Sequence, residues 1–156
     1  MTTLADLHRS VQTTLATRRL GTPVFVRYLL QSQDKADAVP SRLAVIAAAV
    51  RDWLGQPLDR LYALGSARGG QVSLTLEFRG GVTAAVAWTS AAPRGDGLDL
   101  MVLGNHGALY HDAGSGPLWD DPVVTTGLKP EPALVALIER ALRSGRPELA
   151  GGKARP

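Results

Sequence analysis

Three histidines, fourteen acidic residues and a few glycine-flanked serines are the groups in this 156-residue chain that could do chemistry. His8 lies beside the apolar stripe of a helical repeat, a position that reads as a partly exposed helical side chain. His106 sits in the turn sequence Gly104-Asn105-His106-Gly107. His111-Asp112 ends a strand, with Asp120 and Asp121 further on. A zinc or iron site needs three converging ligands held by surrounding groups. These acids fall in a Gly- and Pro-rich stretch without ligand spacing, so no metal is expected. Gly114-Ser115-Gly116 lacks the strand and helix of a nucleophile elbow, and no G-x-S-x-G occurs. No phosphate-binding loop is present. Glu77 and Asp99 read as surface charge rather than an acid–base pair. The residues therefore point to no catalytic, cofactor-binding or metal site.

Composition narrows the classes further. There is no cysteine, which excludes disulfides, thiolate metal sites and a cysteine nucleophile. Fourteen of the seventeen cations are arginine, and only Arg18-Arg19 are adjacent. A net charge of +3 spread in this way makes no basic stripe, so nucleic acid is not an expected partner. No apolar run reaches the ~20 residues of a membrane helix. Residues 1–19 lack the apolar core of a signal peptide. The expectation is a soluble cytoplasmic protein.

The elements that must carry any site are legible from their periods. Leu4, Leu7, Val11 and Leu15 form a helical stripe over residues 4–17, which Thr2 or Thr3 would cap and Gly21 would stop. Residues 23–30 are β-rich, and 31–40 read as a loop. Residues 41–54 read as a largely buried helix capped by Ser41 and ended by Gly55-Gln56-Pro57. Residues 58–66 form a strand. Val72, Leu74, Leu76 and Phe78 alternate with polar residues, as do Val82, Ala84, Val86 and Trp88 beyond Gly80-Gly81. Period two on both sides of a Gly-Gly pair predicts a β-hairpin. Strands follow at 98–103 and 108–111, then an irregular stretch over 113–130, and a helix over 132–144. The chain is expected to be one α+β domain over residues 1–147 with a disordered tail over 148–156.

Successive strands joined by tight turns are antiparallel. Three helices cannot cover both sides of such a sheet. The predicted fold has two layers: a mostly antiparallel open β-sheet with about three helices on one face and the other face bare. In the hairpin that bare face carries Ser73, Thr75, Glu77, Thr83, Ala85 and Ala87. The next strand adds Asp99, Met101 and Leu103. Small, weakly polar side chains make a flat surface suited to packing on another sheet. Alanine, methionine and leucine are poor choices for a solvated face.

Several segments together resemble the C-terminal domain of the Gfo/Idh/MocA oxidoreductases, which pair an NAD(P)-binding Rossmann domain with an open-sheet α+β domain. Leu20-Gly21-Thr22-Pro23-Val24-Phe25 resembles the family's L-G-x-P stretch before a strand. Asp52-Trp53-Leu54-Gly55-Gln56-Pro57-Leu58 is similar to its W-L-G-x-P-V helix exit, and Tyr62-Ala63 to its V-x-A strand. Leu76-Glu77-Phe78-Arg79-Gly80-Gly81 resembles its L-x-F-x-G-G hairpin. Leu103-Gly104-Asn105-His106-Gly107-Ala108-Leu109 resembles its I-x-G-x-x-G-x-L strand pair, and Ser144-Gly145-Arg146-Pro147 its closing G-x-P. The resemblance spans about residues 10–147. It implies the fold, but two departures separate the chain from the activity. No G-x-G-x-x-G is present for a dinucleotide. The family's Asp-x-x-x-His motif falls near Ser41 and Val45, neither of which can shuttle a proton at neutral pH. The reading is a non-catalytic relative that acts as an oligomerisation or interaction module, without a cofactor. Its expected partner is a second copy in a homodimer, or a full-length oxidoreductase of that family. A small-molecule binding module, and the substrate-side half of a split NAD(P)-dependent oxidoreductase, are the alternatives.

Overall fold

The computed structural model describes residues 4–90, 96–113 and 129–151. The elements are α1 (Leu4–Ala16), β1 (Pro23–Ser32), α2 (Val39–Leu54), β2 (Leu58–Ser66), β3 (Gln71–Phe78), β4 (Thr83–Ser90), β5 (Gly97–Gly104), β6 (Ala108–Ala113), α3 (Pro132–Ser144) and β7 (Glu148–Leu149). The seven strands form one sheet in the order β6-β5-β1-β4-β3-β2-β7. Every neighbouring pair is antiparallel except β1 and β4, which run parallel. This is the predicted α+β architecture.

Alternation decides which side of each strand is buried. Val72, Leu74, Leu76 and Phe78 on β3, Ala84, Val86 and Trp88 on β4, and Leu98, Leu100 and Val102 on β5 all lie under the helices. They meet Leu43, Ile46 and Val50 of α2 and Leu137, Ile138 and Ala141 of α3 in one core. In α2 the run from Leu43 to Ala47 is buried almost all round, because the helix lies between the sheet and its neighbours. Arg51 of α2 joins Glu131 at the start of α3 through a paired guanidinium–carboxylate contact. That contact holds Glu131 below the usual carboxylate range, chiefly through the Arg51 hydrogen bonds.

Several local expectations change, and β6 runs on to Ala113 rather than ending at His111. Helix α2 begins at Val39 rather than Ser41, and its cap is Ala38, with no side-chain hydrogen bond. Pro40 fits the first turn because an N–H there would have no partner within the helix. Strand β1 runs two residues further, to Ser32. Helix α1 ends at Ala16, where the chain turns through Arg18 at φ 57°, well before Gly21. Glu148 and Leu149, expected in the tail, pair with Leu61 and Arg60 of β2. The Thr2 or Thr3 cap, most of the irregular stretch over 113–130 and the tail beyond Gly151 lie outside the described residues.

The β5–β6 turn clasps the α1–β1 connection. Asn105 Oδ1 accepts from the Thr22 N–H at 2.8 Å, and the Asn105 and His106 N–H groups donate to the Thr22 and Leu20 carbonyls. The backbones come so close that a Cβ on Gly104 would stand 2.0 Å from the Leu20 carbonyl oxygen. Gly104→Ala should therefore cost about 1–3 kcal/mol, read as a lowered urea midpoint. An unchanged midpoint would mean that the two segments separate freely.

Candidate functional site

The ladder register places the open-face side chains in three rows. The first runs Ala108, Leu103, Phe25, Thr83, Glu77, Arg60 and Leu149 from β6 to β7. The second runs Tyr110, Met101, Arg27, Ala85, Thr75 and Tyr62, and the third Asp99, Leu29, Ala87, Ser73 and Leu64. Every residue named from the sequence as part of this surface is in these rows: Ser73, Thr75, Glu77, Thr83, Ala85, Ala87 and Met101, with Asp99 and Leu103. None of them is buried.

Apart from Met101 and Leu103, sequence reasoning missed the larger side chains. Tyr110 is 71% exposed, Leu64 52%, and Leu29 and Leu103 38% each, all on this face. Phe25 and Tyr62 stand beside them. Small residues in the middle of the sheet and large apolar ones toward both edges give a flat centre with apolar flanks. Six strands about 4.8 Å apart and three rows about 7 Å apart cover roughly 600 Å² in projection. Side-chain relief brings the accessible area toward the ~800 Å² per partner of a standard interface.

Two ion pairs punctuate the face. Arg60 reaches Glu77 at 2.7 Å near one edge. Arg27 reaches Asp99 with Nη2 alone, 3.2 Å from Oδ1 and 3.5 Å from Oδ2, and its Nε is buried with no hydrogen-bond partner. A groove of about 500 Å³ opens beside Arg60, Phe78, Thr83 and Leu149, at the first-row end of the same face.

The groups with chemical potential lie elsewhere. His8, expected to be partly exposed, is 6% exposed. The α1 stripe is covered at that point by Tyr28 and Trp53. The His8 ring stands edge-on to both, and its Nε2 lies 3.1 Å from the Tyr28 hydroxyl. His8 Nδ1 is buried without a partner. Burial pulls the imidazole down to about 4 from 6.5, and pushes the Tyr28 phenol up. Above pH 6.5 both folded and unfolded chains keep His8 neutral. Between pH 6.5 and 4 only the unfolded chain takes up the proton, so this residue's contribution is lost as pH falls through that window. Lowering the pH from 7 to 4 should remove about 3 kcal/mol through His8. His8→Gln should flatten that part of the curve in urea titrations across the window. A variant with the parental slope would assign the acid sensitivity to other groups.

His106 is exposed in its turn, and His111 is half-buried on β6. Asp120 and Asp121 lie outside the described residues. Among the described residues no three of His, Asp and Glu stand close enough to hold a metal ion. Ser41 and Val45 occupy the first two turns of α2, with Val45 8% exposed. Between them Arg42 turns inward and grips Asp34 with Nε at 3.0 Å and Nη2 at 2.8 Å. Ser32 Oγ donates to the same carboxylate at 2.6 Å and accepts from Trp88 Nε1 at 2.8 Å. Asp34, five residues before α2, is thus fixed in a hydrogen-bonded network.

No family model and no curated protein sequence matches this chain. Its fold does match solved structures. A probable dehydrogenase from Thermotoga maritima superposes with a TM-score of 0.68 at 13% identity, over 92% of this chain and 61% of that one. Apo scyllo-inositol dehydrogenase from Lactobacillus casei gives 0.70 at 9% identity, over 94% and 61%. A putative myo-inositol dehydrogenase from Sinorhizobium meliloti 1021 gives 0.67 at 15%, over 92% and 61%. The chain thus has the α+β fold found in these dehydrogenases and spans about three fifths of their length. This is the fold that the Gfo/Idh/MocA resemblance implied. Among the described residues no helix is long and apolar enough to cross a membrane.

Proposed function

We propose that this chain is a non-catalytic relative of the oxidoreductase domain whose fold it shares. It works as an interaction module whose open sheet face packs on the same face of a second copy. The observation that carries this reading is the set of exposed Leu29, Leu64, Leu103 and Tyr110 around a flat Ala85–Ala87 centre. Apolar side chains at that density are costly to leave in water and favourable to cover. The face has close to the area of a standard interface. The start of α2 supports the non-catalytic part: counted back from Gly55, the family's acid and histidine fall near Ser41 and Val45, and neither transfers protons at neutral pH. Sedimentation equilibrium at tens of micromolar is expected to return twice the chain mass. A monomer at that concentration ends the reading, and so does turnover of polyols with a nicotinamide nucleotide by the purified chain.

A further inference from the structure

Two arginine–aspartate pairs, Arg42–Asp34 and Arg27–Asp99, differ in geometry. Arg42 meets Asp34 as a two-pronged fork, with Nε and Nη2 each on its own oxygen. Arg27 meets Asp99 with one nitrogen shared between both oxygens, and its Nε makes no hydrogen bond. The first pair is buried and geometrically complete. The second is 42% and 46% exposed and lies among Phe25, Leu29, Met101 and Leu103. An incomplete charge pair on an apolar surface is a liability under a plain apolar cover. Covering it strips water from the guanidinium N–H groups and carboxylate lone pairs that the pair itself does not satisfy.

Resting on the self-association reading above, we propose that Arg27 and Asp99 are the polar centre of the copy-to-copy contact and set its register. The large apolar side chains of β1, β5 and β6 surround this pair, so a two-fold axis through that part of the face runs close to it. A two-fold contact brings the same patch of both copies together. The second copy's pair then arrives inverted: its carboxylate meets the first copy's guanidinium, and the reverse. Four charges alternate in sign, and each aspartate gains a second donor. An apolar partner or a shifted register leaves the same groups desolvated without compensation. A polar pair in an apolar contact therefore selects one alignment, at some cost in raw affinity.

Charge reversal tests this. Arg27→Asp gives a chain with two acids at the centre, and Asp99→Arg a chain with two bases. Each alone should self-associate at least about a hundredfold more weakly than the parent, because like charges would be buried against one another. Mixed in equal amounts, the two should form a heterodimer, seen as one species in native mass spectrometry and in size exclusion with light scattering. Circular dichroism checks that each variant is folded. If reversal unfolds either chain, Arg27→Gln and Asp99→Asn take its place, with at least about tenfold weaker dimers expected from each. Variants that dimerise like the parent, or a mixture that stays monomeric, overturn the register proposal while leaving the sheet-face contact standing. A parental chain that is itself monomeric ends the underlying reading instead.

Discussion

Ala87→Glu is expected to give a folded monomer. Ala87 lies in the third row of the open face, flanked in the ladder by Leu29 and Ser73, neither of which can neutralise a carboxylate. In the single chain the new side chain enters water, and a surface substitution of this kind changes stability by about 0.5 kcal/mol or less. In the paired state the carboxylate is trapped between two sheets about 10 Å apart. Removing an unpaired charge from water costs several kcal/mol, so the dimer should weaken at least about a hundredfold. The control is one residue away. Val86 is 1% exposed and faces the helices, so Val86→Glu should unfold the protein. Sedimentation velocity and thermal melts of the two variants separate the cases. A dimeric Ala87→Glu would move the contact off this face, and an unfolded one would place Ala87 in the core.

That contrast depends on phase, and phase was legible only where one side of a strand is polar. On β3 and β4, Ser73, Thr75, Glu77 and Thr83 alternate with large apolar residues, so the open face could be read from spacing alone. On β1 large apolar residues stand on both sides: Phe25 and Leu29 flank Arg27 on the outward side, while Val26, Tyr28 and Leu30 face the core. Alternation cannot assign such a strand, because large apolar residues stand on both of its sides. Tyr110 was missed for a related reason, since a short strand gives too few repeats. The two-residue β7 has no period at all and depends on the sheet edge it joins. The largest omissions are charged pairs made by the tertiary fold. Arg27 and Asp99 are 72 residues apart in the chain, and only the β1–β5 register brings them together. The start of α2 misled for a different reason. Ser41 is a good capping residue by type, but the anchoring at this end comes from Arg42, one residue later.

That anchoring gives Asp34→Asn a large expected effect on stability. Asp34 and Arg42 have side chains 11% and 5% exposed. Burial pushes the Asp34 carboxyl up, but hydrogen bonds from Arg42 and Ser32, with the Arg42 charge, outweigh it and hold the group below its ordinary value of 3.8. A carboxylate lowered in this way contributes stability that is present above pH 3.8 and is lost as pH falls through the folded value. With Ala38 offering no side-chain cap, the pair is also what fixes the chain's entry into α2. Asparagine keeps the shape but removes the negative charge that Arg42 Nε and Nη2 grip, and breaking a buried ion pair from one side typically costs about 3–5 kcal/mol. For a domain of this size that corresponds to a fall in melting temperature of roughly 6–20 °C. The double substitution Asp34→Leu with Arg42→Met removes both charges and should recover most of the loss, because an apolar pair of similar volume often matches a buried ion pair. Guanidinium titrations of the single and double variants decide the matter. A single variant within about 1 kcal/mol of the parent would show that Asp34 is not what holds the Arg42 charge. A double variant as unstable as the single one would assign the cost to the Ser32–Trp88 hydrogen bonds that end on the same carboxylate.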